Sequence, residues 1–176
     1  MSFTLSSLSF ITAPLVDQVT GEFVHRLFPS LRMPAFVACP DDTATATVVV
    51  AITLAAAARG VATEYLDLRP APAKYLDEVT ARLRDFGEGA SAGSAAPIRV
   101  LILDGFDTFE GEGHDAPIYP FRSRFQFDRE HLWLFLGRDW PRLRRMFGSS
   151  RSPLYHAASD LTPEPWRVGG RPPGET

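Results

Sequence analysis

Apolar positions along this chain fall into short blocks whose spacing switches between helical and strand-like periods. Leu15, Val19, Phe23 and Leu27 recur every fourth residue, which predicts an amphipathic helix over residues 14–28, punctuated by Pro29 and Pro34. The short apolar run Ala35–Ala38 predicts a buried strand, being too brief for a helix. Asp41, Asp42 and Thr43 offer capping side chains ahead of a largely buried helix over 45–59, which Gly60 ends. Residues 61–68 (VATEYLDL) alternate and predict a second strand. Leu76, Val79 and Leu83 mark the inward face of a helix over 73–86. The small-residue stretch 87–97 (GEGASAGSAAP) predicts a flexible linker. Residues 98–103 (IRVLIL) are apolar almost without a break, the mark of a central strand. The glycine-rich, acidic stretch 109–120 predicts loop, and 121–129 a short helix. Residues 131–136 (HLWLFL) predict a fourth strand, and 139–147 a helix with Asp139 as its cap and Pro141 in its first turn. From Gly148 onward the pattern is loop-like, with Leu161 and Trp166 as anchors and residues 169–176 as a frayed tail.

Strands alternating with helices imply an α/β fold in which a parallel sheet is sandwiched by helices. The 176 residues suit one domain: a helical lead-in over 1–32, the main unit over 33–168, and the tail over 169–176. Hydrophobic content of 45% is enough for a sizeable core. A net charge of -3 gives no bulk field that selects nucleic acid or an anionic membrane. The charge is uneven, with acidic side chains predominant over 1–114 and arginines over 115–176. A single cysteine excludes an internal disulfide, and the four histidines match no metal-ligand spacing. No signal-peptide pattern and no apolar run long enough to span a membrane is present, so a cytoplasmic protein is expected.

The turn between the first strand and its helix is the most informative stretch. A phosphate loop in that frame reads G-x-x-x-x-G-K-[ST], with glycines that admit the phosphate and a lysine that neutralises it. Here the frame holds Cys39, Pro40, Asp41, Asp42, Thr43, Ala44, Thr45 and Ala46. Cys39 and Ala44 stand at the glycine positions, Thr45 at the lysine, and Ala46 at the magnesium-binding hydroxyl. Asp41 and Asp42 place negative charge where a polyphosphate would lie. Losing one charge-assisted contact of this kind removes several kcal/mol of binding, so ATP binding at this turn is not expected.

Other stations line up behind it. VLILDGFD (residues 100–107) resembles a Walker B strand, with Asp104 at its end; Gly105 stands where the catalytic acid would follow, and Asp107 lies three residues on. YLDLR (65–69) resembles the second-strand signature of archaeal-type STAND ATPases, a branch of the AAA-like P-loop NTPases. Residues 132–166 are similar to that family's sensor strand and the SPLY box beyond it. Ser152, Pro153, Leu154 and Tyr155 match the box, and His156 and Ala157 replace its Gly-Arg. The resemblance spans roughly residues 33–166. It implies a P-loop NTPase core with the sensor strand between the phosphate-loop strand and the Walker B strand. It also implies a degenerate, inactive module of the kind found in bacterial conflict or signalling systems.

For each charged candidate, a structural role competes with a chemical one. Helix capping outweighs a metal site for Asp41 and Asp42. Local hydrogen bonding outweighs magnesium binding for Asp104. Cys39 reads as a buried thiol rather than a nucleophile. Arg138, Arg142 and Arg145, at helical spacing, form one face with Arg144 and Arg151 close by. That face is either an anion or partner contact or a solvated face paired with Asp139 and the acidic loop 110–115. Tyr119, Phe121, Phe125 and Phe127 are core or an exposed patch; spacing does not decide. The expectation is a non-enzymatic domain without cofactor or metal. It would act through another protein, with homo-oligomerisation open, either at the mouth formed by Asp41, Asp42, Asp104 and Asp107 or through the arginines. Two alternatives stand beside it. One is an atypical NTPase completed by Arg32, Arg69 or a residue in trans. The other is a nucleic-acid accessory protein using the arginine helix.

Overall fold

The computed structural model describes residues 33–89, 99–110, 115–128 and 130–167, with residue 21 besides. Five strands form one parallel sheet: β1 (Ala35–Ala38), β2 (Ala62–Asp67), β3 (Arg99–Asp104), β4 (His131–Gly137) and β5 (Ser159–Asp160). Their order across the sheet is β2-β3-β4-β1-β5. The fold is therefore α/β with a parallel sheet. β4 lies between β1 and β3, the position that the P-loop resemblance assigns to the sensor strand.

Four helices connect the strands: α1 (Asp42–Ala57), α2 (Pro72–Gly89), α3 (Asp115–Phe125) and α4 (Trp140–Gly148). The strand pleat divides the core into two faces. Leu132, Leu134 and Leu136 of β4 point towards α1, where Val48, Ile52 and Ala56 meet them. Trp133 and Phe135 point the other way, against Leu76 and Val79 of α2, Phe121 and Phe125 of α3, and Leu143 and Phe147 of α4. A strand buried on both faces must be apolar at consecutive positions, which is why β4 reads LWLFL without interruption. Phe106 sits at the hub of the second face, with its ring centroid 4.5 Å from Phe135, 5.4 Å from Phe109 and 5.9 Å from both Phe121 and Phe147. Phe121 and Phe125 are thus core, whereas Tyr119 and Phe127 are exposed.

Several boundaries differ from the sequence expectation. α1 starts at Asp42, three residues before Thr45, because the Asp41 side chain caps it there. Its far end closes as expected around Gly60, which takes φ +69° while the Val61 and Gly60 N–H groups donate to the Ala56 and Ala57 carbonyls. α2 continues through Gly87–Gly89, where linker was expected. The stretch 109–120 is not all loop: a 3-10 turn occupies Phe106–Phe109 and α3 begins at Asp115. α3 carries Pro120 in its interior, inside the stretch whose glycine and acidic content predicts loop. The short helix expected to run to residue 129 ends at Phe125. Beyond Gly148, β5 adds a two-residue strand that pairs with β1. The expected 14–28 helix (apart from Gly21, which is helical), Arg32, linker residues 90–97 and the tail 169–176 lie outside the described residues. Among the described residues, no helix is long and apolar enough to cross a membrane.

Candidate functional site at the carboxyl edge of the sheet

In open parallel sheets, ligands bind outside the carboxyl ends of the strands. Here that edge collects the end of β1, Asp67 of β2, Asp104 of β3 and the turn after Gly137 of β4. The β1–α1 connection is only Cys39, Pro40 and Asp41, and Pro40 has no backbone N–H to offer a ligand. Cys39 is fully buried, and its N–H donates to the Gly137 carbonyl at 2.7 Å. Burial, with the Asp104 charge nearby, pushes its thiol well above the ordinary cysteine range. Asp41 Oδ1 accepts from the Ala44 N–H at 2.7 Å, and the Thr45 hydroxyl donates to the Asp41 carbonyl at 3.1 Å. The helix N-terminus that would hold a phosphate thus already carries a carboxylate. Thr43 does not cap; its carbonyl accepts from the Thr47 hydroxyl at 2.8 Å. Ala44 and Ala46 lie inside the first turns of α1 and bring only methyl groups.

Asp104 is fully buried. Its carboxylate accepts from the Gly105 N–H at 2.8 Å and the Tyr65 hydroxyl at 2.8 Å, and it pairs with Arg69 Nη2 at 3.2 Å. Burial, helped by this contact, pushes the Tyr65 phenol above its usual range. Three donors offset the desolvation of the Asp104 charge, and a magnesium ion would have to displace them. Gly105 takes φ +78°, and a Cβ there would stand 2.4 Å from Arg69 Cγ. A glutamate at this position would meet both a left-handed backbone and the arginine stem.

Arg69 makes a bidentate pair with Asp67, Nε to Oδ1 at 2.8 Å and Nη2 to Oδ2 at 2.9 Å. The hydrogen bonds from Arg69 hold the Asp67 carboxyl below its ordinary range. Arg69 Nη1 also reaches Asp42 Oδ1 at 3.5 Å, and Arg138 Nη2 donates to the same oxygen. The Arg138 hydrogen bond and charge keep the Asp42 carboxyl below its ordinary range. Arg138 is therefore not part of the expected arginine face, because α4 begins only at Trp140 and Arg138 precedes it. Arg142 and Arg145 do lie on α4, where both pair with Glu110, at 3.7 Å and 2.6 Å. Arg142 also meets Asp139 at 3.6 Å. Arg151 is exposed. Asp107 turns back into the protein, where Oδ2 accepts the Arg138 and Asp139 N–H groups, both at 3.0 Å. The sheet edge thus unites Asp42, Asp67, Asp104, Arg69 and Arg138, while Asp107 braces the turn behind them.

Sequence reasoning missed three contributors. Gly137 is needed because a Cβ there would lie 2.6 Å from Asp107 Oδ1; its signal was a glycine closing an apolar strand. Thr162 is buried, and its hydroxyl accepts the Ala38 N–H at 3.0 Å, continuing the β1 edge beyond β5. Tyr65 was legible only as part of YLDLR, not as a partner of Asp104. In the SPLY box, Leu154 is buried and Ser152 Oγ accepts the Leu154 N–H at 3.1 Å. His156, at the glycine position of that box, takes φ +56°. Among the described residues, no group of three or more His, Cys, Asp or Glu side chains is placed to hold a metal ion.

No protein-family model matches the sequence. No curated protein matches it either. Among solved structures, a Walker-type ATPase of Pyrococcus abyssi is similar with a TM-score of 0.49 and 8% identity, covering 83% of this chain and 52% of that one. This chain thus spans about half the length of that ATPase.

Proposed function

We propose that this chain is a non-catalytic P-loop-like domain that acts through protein contact, as an adaptor or regulatory subunit in a bacterial signalling or defence assembly. One observation carries the reading: the charged groups at the sheet edge are paired with one another. Asp42 is held by Arg138 and Arg69, Asp67 by Arg69, and Asp104 by Tyr65, Arg69 and the Gly105 N–H. A triphosphate would have to break these pairs and still meet Asp41 and Asp42. The strand framework is retained while the phosphate loop lacks its glycines, lysine and hydroxyl, which favours a role for the surface over one for the cleft. The STAND-like resemblance supplies the assembly context. Isothermal titration of ATP, ADP and GTP with magnesium into the full chain is expected to give no binding in the micromolar range; micromolar binding at this turn would overturn the reading.

The atypical NTPase keeps one supporting observation, since Arg69 stands at the mouth between Asp104 and Asp42. On that reading magnesium-dependent phosphate release occurs and vanishes in Asp104→Asn. For nucleic acid the support is weaker, because Arg142 and Arg145 face Glu110. A salt-sensitive gel shift would restore that reading.

A further inference from the structure

Arg144 stands apart from the other arginines of α4. Arg142 and Arg145 share Glu110, whereas the exposed Arg144 guanidinium forms no ion pair and no hydrogen bond among the described residues. It lies over the Trp140 ring instead, 5.1 Å from the centroid. Trp140 is fixed in turn, because its Nε1 donates to Asp160 Oδ2 at 3.0 Å. Both residues line a surface groove of about 370 Å³ that follows α4 past Pro141 and Arg145 to Gly148 and Ser149. Residues four apart on a helix are neighbours on one face, so Trp140, Arg144 and Gly148 form a row. Gly148 keeps the far end of that row open, since a Cβ there would meet nothing within 4 Å.

We propose that this groove docks an acidic segment of a partner protein, with an apolar side chain laid along the Trp140–Gly148 row and a carboxylate on Arg144. This deepens the protein-contact reading and rests on it. Charge decides the ligand class. Arg142, Arg144, Arg145 and Arg151 lie on α4 or in the turn after it, against Glu110, Asp139 and Asp160. Each of those carboxylates already has donors within the protein. Glu110 takes Arg142 and Arg145, Asp139 the Arg142 N–H, and Asp160 the Trp140 indole and the Thr162 N–H. Arg144 and Arg151 are the arginines of this face without an ion pair among the described residues. No group has to leave before a carboxylate reaches Arg144, and the Trp140 ring already supports its guanidinium, so little ordering accompanies binding. Trp and Arg are also the residue types that most often carry binding energy at protein interfaces. A nucleic-acid backbone fits less well. It needs a row of available cations, and Arg142 and Arg145 are both engaged with Glu110 in a chain of net charge -3.

The test uses fluorescence anisotropy with the full chain and a labelled peptide in which glutamates flank a single leucine. The native chain is expected to bind it. Arg144→Gln should weaken binding at least about tenfold, through loss of one charge-assisted contact. Gly148→Leu should weaken it as well by filling the groove, and its side chain enters open space, so the fold is kept. Lys74→Gln, which removes an exposed charge from α2, should leave binding unchanged. Replacing the leucine of the peptide by serine should weaken binding, and replacing its glutamates by glutamines should abolish it. No binding by the native chain, or binding that either Arg144→Gln or Gly148→Leu leaves intact, overturns the proposal. Equal binding of the serine or glutamine peptide overturns it too. Tighter binding of oligothymidylate than of the peptide, lost in Arg144→Gln, assigns the groove to nucleic acid and also overturns it. Micromolar ATP binding at the β1–α1 turn would instead defeat the non-catalytic reading and leave the peptide result standing, so the two failures are distinguishable.

Discussion

A carboxylate three residues past the end of β3 holds the turn after β4. Asp107 is 7% exposed and accepts two backbone N–H groups, of Arg138 and Asp139, through one oxygen. Removing it leaves two donors without an acceptor inside the protein. Asp107→Ala is therefore expected to lower stability by about 2–4 kcal/mol, and Asp107→Asn by less, since the amide oxygen can still accept. Urea unfolding midpoints measure both, and an alanine variant as stable as the native chain would contradict the assignment. Asp107 also explains Gly137, whose missing Cβ leaves room for the carboxylate. The sequence showed that Asp107 did not sit where a catalytic acid would. It could not show what the residue binds, because both donors are backbone groups 31 and 32 residues away.

At the scale of elements, local chemistry decides the boundaries. Three consecutive residues, Asp41, Asp42 and Thr43, could each have capped α1, and only the backbone distinguishes them. Asp41 has φ -150° and ψ 178°, the extended geometry of a cap, so its carboxylate reaches the Ala44 N–H. Asp41→Ala should cost about 1 kcal/mol, with Asp41→Ser recovering most of it, read as shifts in the thermal midpoint. A silent alanine variant would mean that another group caps the helix. The turn after α4 offers a test of the opposite sign. His156 holds φ +56°, its N–H donates to the Phe147 carbonyl at 2.8 Å, and its ring stacks on Tyr155 at 3.9 Å. His156→Gly removes left-handed strain and is expected to stabilise by about 1 kcal/mol, less whatever the ring contact contributes. A loss of stability would show that the stacking outweighs the strain. These cases also show why element boundaries were only partly legible. Helical spacing placed Arg138 on one face with Arg142 and Arg145 because it counts through Asp139, yet the chain is not helical until Trp140.

At the scale of the whole molecule, the parallel sheet was legible because β1, β3 and β4 are contiguous apolar runs and β2 alternates, and the place of β4 followed from the family resemblance; β5, two polar residues in a loop-like stretch, was not legible. The charge pairs at the sheet edge were not legible. Arg138 and Asp42 are 96 residues apart and Arg69 and Asp42 are 27 apart, and no local period links them. Those pairs, with two more, set the response of the fold to acid. Asp42 is lowered by the Arg138 hydrogen bond and charge, Asp67 by hydrogen bonding to Arg69, and Glu110 by hydrogen bonding to Arg145. Burial acts to raise Asp128, but the His131 hydrogen bond and charge, with the Glu130 and Trp133 N–H groups, outweigh it and leave the carboxyl lowered. For each, the folded pKa lies below the ordinary value, 3.8 for aspartate and 4.5 for glutamate. The unfolded chain then binds more protons at low pH. The stabilisation is complete above the ordinary value and is lost as pH falls through the folded one. The urea midpoint should therefore hold from neutrality down to about pH 5 and fall below about pH 4. The four groups do not contribute equally. Asp42 is 88% exposed, so solvent and salt screen its pairs, whereas Asp128 is 9% exposed and accepts three hydrogen bonds. Asp128→Asn should flatten the acid limb more than Asp42→Asn does, although it also lowers stability at pH 7. Raising salt should shrink the Asp42 contribution and leave that of Asp128 nearly unchanged. An acid limb that responds equally to both substitutions, or one abolished by salt, would place the titrating charge at the surface instead.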